Sequence, residues 1–507
     1  MMTVNDILKL TDVKNQHLPK LGADSSFKKY DLVYLPVFEE TVSQMIKKYP
    51  ELKKLNLKGE KKESFNVIVG HQLWKVRGMG KKNQMGPRQL RRMFGAMYLG
   101  AVAEKLKKVA ILCAELEWAY WAGVGIHVAA LDPKIFKPKA KFDDVLEVTL
   151  VHETFKGKVL GDVQKEIHRG EITAEAKNLM RVLGATPPNS LHTEAYAQVV
   201  EKLAKQWGIK CKNVSKKELQ KYELLNAVSN GSHHDSKLLV LTIPVKGSKK
   251  ETVVVGKGIC YDSGGMQGKG TYMKSMKEDM AGSASVLATA MHIVKNKLQL
   301  KETTHFLLPL AENMMGDFAQ RADDVWTAGD GQTVEIIHTD AEGRLIMGDA
   351  ICYAKNNFKN IDKVYTIATL TGSCVVALGE VYTGNLCNDD ELRQEAMKAG
   401  KETGDLVFSG PWDLEYDDNN SPVADVANLG EKDRDAGWLK AGYYLARFVP
   451  KDKKTGEHTA KFCHFDIAGS IDMDGSGAPH RRKGFSSGVG VGFLSELLTK
   501  SAVSGKR

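Results

Sequence analysis

An α/β subunit of two domains is predicted by three features of this chain: a smaller N-terminal α/β domain, and a larger C-terminal domain with a mixed, mostly parallel sheet flanked by helices. The length of 507 residues exceeds the roughly 250–300 at which single hydrophobic cores stop growing. Short β-branched runs alternate with amphipathic segments of helical period along most of the chain. Gly184-Ala185-Thr186-Pro187-Pro188-Asn189-Ser190 then interrupts a helical pattern with two prolines, which no helix continues through.

In order, Lys29–Pro36 and Ser64–Val69 read as strands, Glu40–Lys48 and Arg88–Lys107 as helices, and Lys108–Glu115 and Val145–Val151 as strands. A helical pattern over Ile172–Leu183 leads into the Pro-Pro segment. This sets an N-terminal domain at 1–170, a linker at 171–190 and a larger C-terminal domain at 191–507. Beyond it come a helix Thr193–Gln206, strands Lys237–Ile243 and Val253–Cys260, and a helix Ala281–Lys295. A strand Thr304–Leu310, a helix Arg344–Asn356 and a strand Lys363–Thr369 follow. Strands alternating with helices imply parallel pairing, with ligands outside the carboxyl ends of the strands.

Composition excludes several classes. Hydrophobic residues at 42% and charged residues at 26% are ordinary globular usage. Val109–Leu131 is interrupted by Glu115 and Glu117, too polar for a membrane span, and Met1–Lys20 carries no apolar leader. The seven cysteines are dispersed and never spaced Cys-x-x-Cys, which argues against a disulfide framework and for a cytoplasmic protein. The net charge of +10 comes from lysines spread over surface-like segments, and Arg88, Arg91 and Arg92 fit a solvated helix face, so a nucleic-acid partner is not expected.

Two segments carry chemistry. In His338-Thr339-Asp340-Ala341-Glu342-Gly343-Arg344-Leu345, two carboxylates and a guanidinium occupy every second position, and an extended backbone would point all three to one side. In Lys257-Gly258-Ile259-Cys260-Tyr261-Asp262-Ser263-Gly264-Gly265, a lysine and an aspartate bracket a strand end that runs into a tight glycine turn, with Lys269 and Asp279 following. Asp262, Asp279, Asp340 and Glu342 offer oxygen ligands enough for two divalent ions. Lys257 could join them as a neutral amine only if nearby dications displaced its proton.

These segments resemble the signatures of the leucyl aminopeptidase family, also called cytosol aminopeptidases. So do Ala311-Glu312-Asn313-Met314, Ala368-Thr369-Leu370-Thr371-Gly372 and His464-Phe465-Asp466-Ile467-Ala468-Gly469, and the likeness runs in order from about Ala176 to Leu498. The resemblance implies a dizinc aminopeptidase that removes an apolar N-terminal residue such as Leu or Met through a metal-bridging water. Asp262 and Glu342 would bridge the ions, Asp340 would hold the exchangeable one (zinc, manganese, magnesium or cobalt), and Lys257 with Asp279 the tighter one. Lys269 and Arg344 would be catalytic without binding metal, and bicarbonate on Arg344, near Leu370, would act as general base. Met276, Thr369, Leu370, Gly372, Ala468 and Ile471 would bind substrate. The likeness further implies peptide substrates with a free N-terminal amine and a homohexamer.

The chain departs from the family pattern in places. The interval from Lys269 to Asp279 is one residue short, and His338 stands where Asn is usual. Arg321-Ala322 and Phe462-Cys463-His464 also differ, which bears on substrate preference more than on reaction type. His233-His234-Asp235 looks metal-like but is expected to be a surface loop. Gly484-Phe485-Ser486-Ser487-Gly488 fits a nucleophile-elbow pattern without the apolar strand that should precede it. Two other readings are a narrow dipeptidase, on Cys-Gly for example, and a basic DNA- or RNA-binding regulator. The intact Lys257 and Asp340 speak against the second.

Overall fold

A computed structural model describes every residue except 27–29, 114, 143–146, 431–434, 473–479 and 501–507. Its packing divides the chain into two compact units. The smaller is built on Asp12–Asn178, and the larger takes in Met1–Thr11 and most of the chain after Asn178. The division therefore falls inside a long helix, Gly157–Ala185, whose end coincides with the approach to Pro187-Pro188.

The smaller unit holds a six-stranded sheet of β1 (Lys20–Asp24), β2 (Leu32–Val37), β3 (Ser64–Val69), β4 (Gln72–Gly78), β5 (Lys108–Leu112) and β6 (Glu147–Val151), in the order β1-β6-β5-β2-β4-β3. All neighbours are parallel except β3 and β4, a hairpin whose two-residue turn starts at Gly70, φ +61°. Two helices, Pro87–Ala103 and Leu116–Ala130, approach closely: a Cβ on Gly125 would lie 2.3 Å from the Arg91 carbonyl. The second of these helices was not expected. Its residues from Trp118 to Ala130 are all buried, so it has no polar face to give a helical period.

The larger unit is organised by a nine-stranded sheet. Its strands are β7 (Lys210–Asn213), β8 (Lys237–Ile243), β9 (Glu251–Gly256), β10 (Gly258–Asp262) and β11 (Thr303–Asn313), then β14 (Ile361–Ala368), β15 (Thr383–Cys387), β16 (Val407–Ser409) and β18 (Lys461–Asp466). A small separate sheet contains β12 (Val325–Thr327), β13 (Thr333–Glu335) and β17 (Val426–Ala427). The order β16-β15-β18-β14-β9-β11-β8-β7, with β10 added beside the end of β11, puts parallel pairs at the centre. Accordingly β9 reads Thr-Val-Val-Val and is buried on both faces. The helix Ala281–Lys295 covers this centre with small residues. Gly282 is required there, because a Cβ would lie 2.2 Å from the Ile367 carbonyl.

Three expectations change. The strand foreseen over Val253–Cys260 is two strands broken at Lys257, because β9 and β10 pair with different stretches of β11. The segment 338–345 is not extended: Thr339 and Asp340 form a turn closed by Ala341 N–H on the His338 carbonyl, and a helix Gly343–Asn357 begins at once. Two of the seven cysteines are also not independent. Cys387 and Cys463 lie opposite each other in the antiparallel β15/β18 pairing with Cα atoms 4.3 Å apart, a proximity hidden by their separation of 76 residues.

Candidate metal centre

The carboxyl ends of β10, β11, β14 and β18 converge on one site in the larger unit. Lys257 occupies the break between β9 and β10, and Asp262 closes β10. The Asp262-Ser263-Gly264-Gly265 turn follows: Gly264 takes φ +88° and Gly265 φ +63°, and the Gly264 N–H donates to Asp262 Oδ1 at 2.9 Å. This turn delivers Lys269, and two short 3-10 turns later Asp279 precedes the helix Ala281–Lys295. Asp340 and Glu342 stand in the turn before the helix Gly343–Asn357, and Arg344 lies in that helix's first turn.

The two lysines each sit between carboxylates. Lys257 Nζ is 2.9 Å from both Asp279 Oδ2 and Glu342 Oε1, and it donates to the Thr369 carbonyl at 3.0 Å. Lys269 Nζ is 2.8 Å from Asp262 Oδ2 and 2.5 Å from Asp340 Oδ1. Each ammonium thus stands where these carboxylates would accept a cation. Asp262, Asp340 and Glu342 offer oxygens within 4.8 Å of one another, close enough to share an ion. Glu342 is 1% exposed, and its second oxygen, Oε2, is buried with no hydrogen-bond partner among the described residues. That orphaned acceptor fits a further cation, so the donor set suits divalent ions.

The electrostatics agree. Burial pushes the Glu342 and Asp279 carboxyls well above the usual range, with Asp262 adding repulsion and Lys257 opposing it. Asp340 moves upward by burial and by Asp262. Burial works against charge on Lys257 and Lys269, yet the surrounding carboxylates outweigh it and hold both above the usual lysine range. Four carboxylates facing two ammonium groups leave the cluster short of positive charge.

Residues without a foreseen role support this arrangement. Asn313, at the end of β11, donates from Nδ2 to Asp262 Oδ1 at 2.9 Å and to the Thr339 carbonyl at 3.0 Å, tying the two halves of the site together. Asn428 Oδ1 accepts from the Ile337 and His338 N–H groups, and its backbone carbonyl accepts from Arg344 at 2.8 Å. Buried Asp466 accepts from the Leu370 and Ala468 N–H groups and from the Thr371 hydroxyl. Asn313 and Asp466 lie in segments singled out by sequence, but their roles depend on strand adjacency. His338, which stands where the family pattern has Asn, supports the site by accepting the Asp340 N–H on Nδ1 at 3.1 Å.

A cavity of about 670 Å³ opens beside the carboxylates. Asp340, Arg344, Leu370 and Gly372 line it, with apolar surface from Val376 and Trp438. Thr369 instead borders the lysine, its hydroxyl donating to Asp279 Oδ1 at 2.6 Å. Met276 lies in the 3-10 turn ahead of Asp279, Ala468 beside Asp466, and Ile471 is fully buried; none of the three lines this cavity. The nucleophile-elbow pattern is set aside, since among the described residues no strand leads into it and its central serine, Ser486, is buried.

A helix-flanked mixed sheet gathers carboxylates and lysines at its strand ends, the make-up of a candidate divalent-metal site. The catalytic-domain model of the cytosol aminopeptidase family matches residues 178–495, and the chain belongs to that family. A probable cytosol aminopeptidase of Dechloromonas aromatica is 38% identical over 62% of this chain and 62% of its own length, somewhat under two thirds. One of Wolbachia pipientis is 33% identical over 86% of this chain and 84% of its own. Among solved structures, a point mutant of tomato leucine aminopeptidase shares the fold with a TM-score of 0.80 at 22% identity, covering 95% of this chain and 97% of that one. The bottromycin maturation enzyme BotP in complex with Mn aligns with a TM-score of 0.78 at 24% identity, covering 92% and 98%.

Proposed function

We propose that this protein is a dizinc aminopeptidase that removes an apolar N-terminal residue, Leu or Met for example, from peptides with a free α-amine. The observation that carries the reading is the Asp262–Asp340–Glu342 cluster, with Asp262 and Glu342 buried and a Glu342 oxygen orphaned, inside the stretch matched by the family model. Asp262 and Glu342 would be shared between two ions, Asp340 would complete the exchangeable site (zinc, manganese, magnesium or cobalt), and Lys257 with Asp279 the tighter one. Bound divalent ions supply polarisation of the scissile carbonyl and a water activated at neutral pH.

The remaining work falls to the chain's own groups. Lys269, already reaching Asp262 and Asp340, is placed to donate to the oxyanion that develops on the substrate, a contribution of about 3 kcal/mol for one donor. Arg344, fixed by the Asn428 carbonyl and lining the same cavity as Leu370, would hold bicarbonate as an anionic base next to the carboxylates. The apolar wall of that cavity favours an apolar first side chain. Met276, Ala468 and Ile471 remain proposed substrate contacts on the strength of the resemblance. The catalytic part is assigned to residues 191–507, where every residue of the site falls. A homohexamer and a cytoplasmic location belong to the same reading; among the described residues no helix is long and apolar enough to cross a membrane.

Hydrolysis of Leu-p-nitroanilide or Leu-amide is expected to depend on added zinc, manganese or cobalt, and Glu342→Ala to lose metal binding at the carboxylate centre together with turnover. A metal-loaded protein inactive on a panel of free-amine substrates overturns the proposal.

A further inference from the structure

Away from the carboxylate centre, the larger unit holds a second group of metal-ligating side chains that the expected reaction does not use. His192 precedes the helix Thr193–Trp207, Glu194 lies in its first turn, and His234 belongs to the loop before β8. Each offers one donor atom within 4.8 Å of the other two. His234 Nδ1 is 3.1 Å from Glu194 Oε2, and His192 Nδ1 is 3.8 Å from the same oxygen. The imidazole rings stack with centroids 3.9 Å apart and planes 9° from parallel. His233-His234-Asp235 is therefore not merely a surface loop. His234 is turned onto a partner histidine 42 residues earlier in the chain, a pairing invisible in local sequence.

We propose that His192, Glu194 and His234 bind a divalent transition-metal ion, zinc above all, at a site separate from the carboxylate centre, joining the start of the helix Thr193–Trp207 to the loop before β8.

Two observations go beyond the clustering. His192 Nδ1 is buried and has no hydrogen-bond partner among the described residues, although 3.8 Å from a carboxylate oxygen it is a lone pair or N–H in want of one. Close by, Glu312 is only 7% exposed and is held by the Ser232 hydroxyl, whose oxygen also accepts the His234 N–H at 3.1 Å. Among the described residues no Lys or Arg forms an ion pair with Glu312; burial and then His234 hold the His192 imidazole below its usual range, with Glu312 and Glu194 pulling the other way. Buried negative charge without a cation is costly, and a dication between the imidazoles and Glu194 would offset it. The helix N-terminus opposes a cation with about half an elementary charge, which two carboxylates outweigh.

Two imidazole nitrogens and one carboxylate oxygen suit zinc, cobalt or nickel rather than magnesium or calcium, which favour all-oxygen sites. Zinc holds nitrogen at about 2.0–2.1 Å, so the donors must draw together from their present spacing by ring rotation. The three side chains keep 24–41% of their surface, which leaves room for that movement and for entry of the ion from solvent. The backbone is already in place, since the Thr193 hydroxyl donates to the Asp235 carbonyl at 2.8 Å and ties the helix start to the loop.

The test is zinc content per chain by elemental analysis after equilibrium dialysis, on the full-length wild type, His192→Ala and His234→Ala. Each variant should bind one zinc fewer than wild type while Leu-amide hydrolysis stays unchanged. In a Glu342→Ala chain, one zinc should remain and disappear when His234→Ala is added. Cobalt substituted into that Glu342→Ala chain should give the visible absorption of a tetrahedral ion with nitrogen ligands, lost in the double variant. If an alanine variant fails to fold, His192→Asn and His234→Gln take its place. Unchanged zinc content in folded variants, or a zinc-free Glu342→Ala chain, overturns the proposal. Because these readouts do not require turnover, they separate failure of this site from failure of the aminopeptidase reading.

Discussion

Asn313 contributes no charge to the candidate centre, yet it holds both Asp262 and the backbone of the turn that carries Asp340 and Glu342. Replacing it by alanine takes a side-chain donor from Asp262 Oδ1 and loosens the turn. Supporting residues of this kind typically change metal affinity about 10- to 100-fold. Asn313→Ala is therefore expected to raise the metal concentration needed for half-maximal activity by that order, with the fold retained. Unchanged metal dependence would mean that the Gly264 N–H alone orients Asp262. The ligand candidates themselves were legible in the chain because charged groups clustered beside glycines stand out. Asn313 was not, because its role exists only once β10 and β11 lie side by side.

Among elements, the helix Gly343–Asn357 begins with a glycine where alanine would ordinarily be favoured by about 1 kcal/mol. Here a Cβ would lie 2.4 Å from Lys257 Cε and 2.8 Å from its Nζ. Lys257 ends in a flexible chain and can step aside, so Gly343→Ala should fold with a thermal midpoint close to wild type. It should nevertheless lose most metal binding and turnover, since the ammonium no longer reaches Asp279 and Glu342. A fully active variant would remove Lys257 from the proposed ligand set. Element positions were readable where a burial pattern was regular: the expected limits of Ser64–Val69, Lys237–Ile243 and Ala281–Lys295 coincide with the observed ones. They were not readable where one face carried no contrast, as in Leu116–Ala130. The 338–345 segment misled because alternating charges occur equally in a turn that feeds a helix.

At the scale of the molecule, stability should carry a signature of buried Asp349. Its oxygens accept the Leu225 N–H at 2.9 Å and the Gly329 N–H at 2.8 Å, and burial pushes its carboxyl up to about 7 from the usual 3.8. Between those values the folded chain binds a proton that the unfolded chain has released. Stability must then fall as pH rises from about 4 to about 7 and level off above. At 1.36 kcal/mol for each pH unit, the loss is at most on the order of 4 kcal/mol. Asp349→Asn cannot titrate. Although it gives up one of the two backbone bonds, its stability relative to wild type should improve across that window, as read by denaturant unfolding at pH 5 and 7.5. A constant difference would show that the carboxyl stays ionised. The two-unit organisation was foreseeable from length, but the joining of Met1–Thr11 to the larger unit was not, because it depends on contacts made almost two hundred residues away.

Strand β11 gives this scale a further constraint. Glu312 and Asn313 are consecutive, and the pleat sends one to Ser232 and the other to Asp262. Losing or gaining a single residue ahead of them would flip the faces they serve, turning the acid to the Asp262 side and the amide to the Ser232 side. Side chains along β11 can vary, but its length is fixed by the chemistry on its two faces.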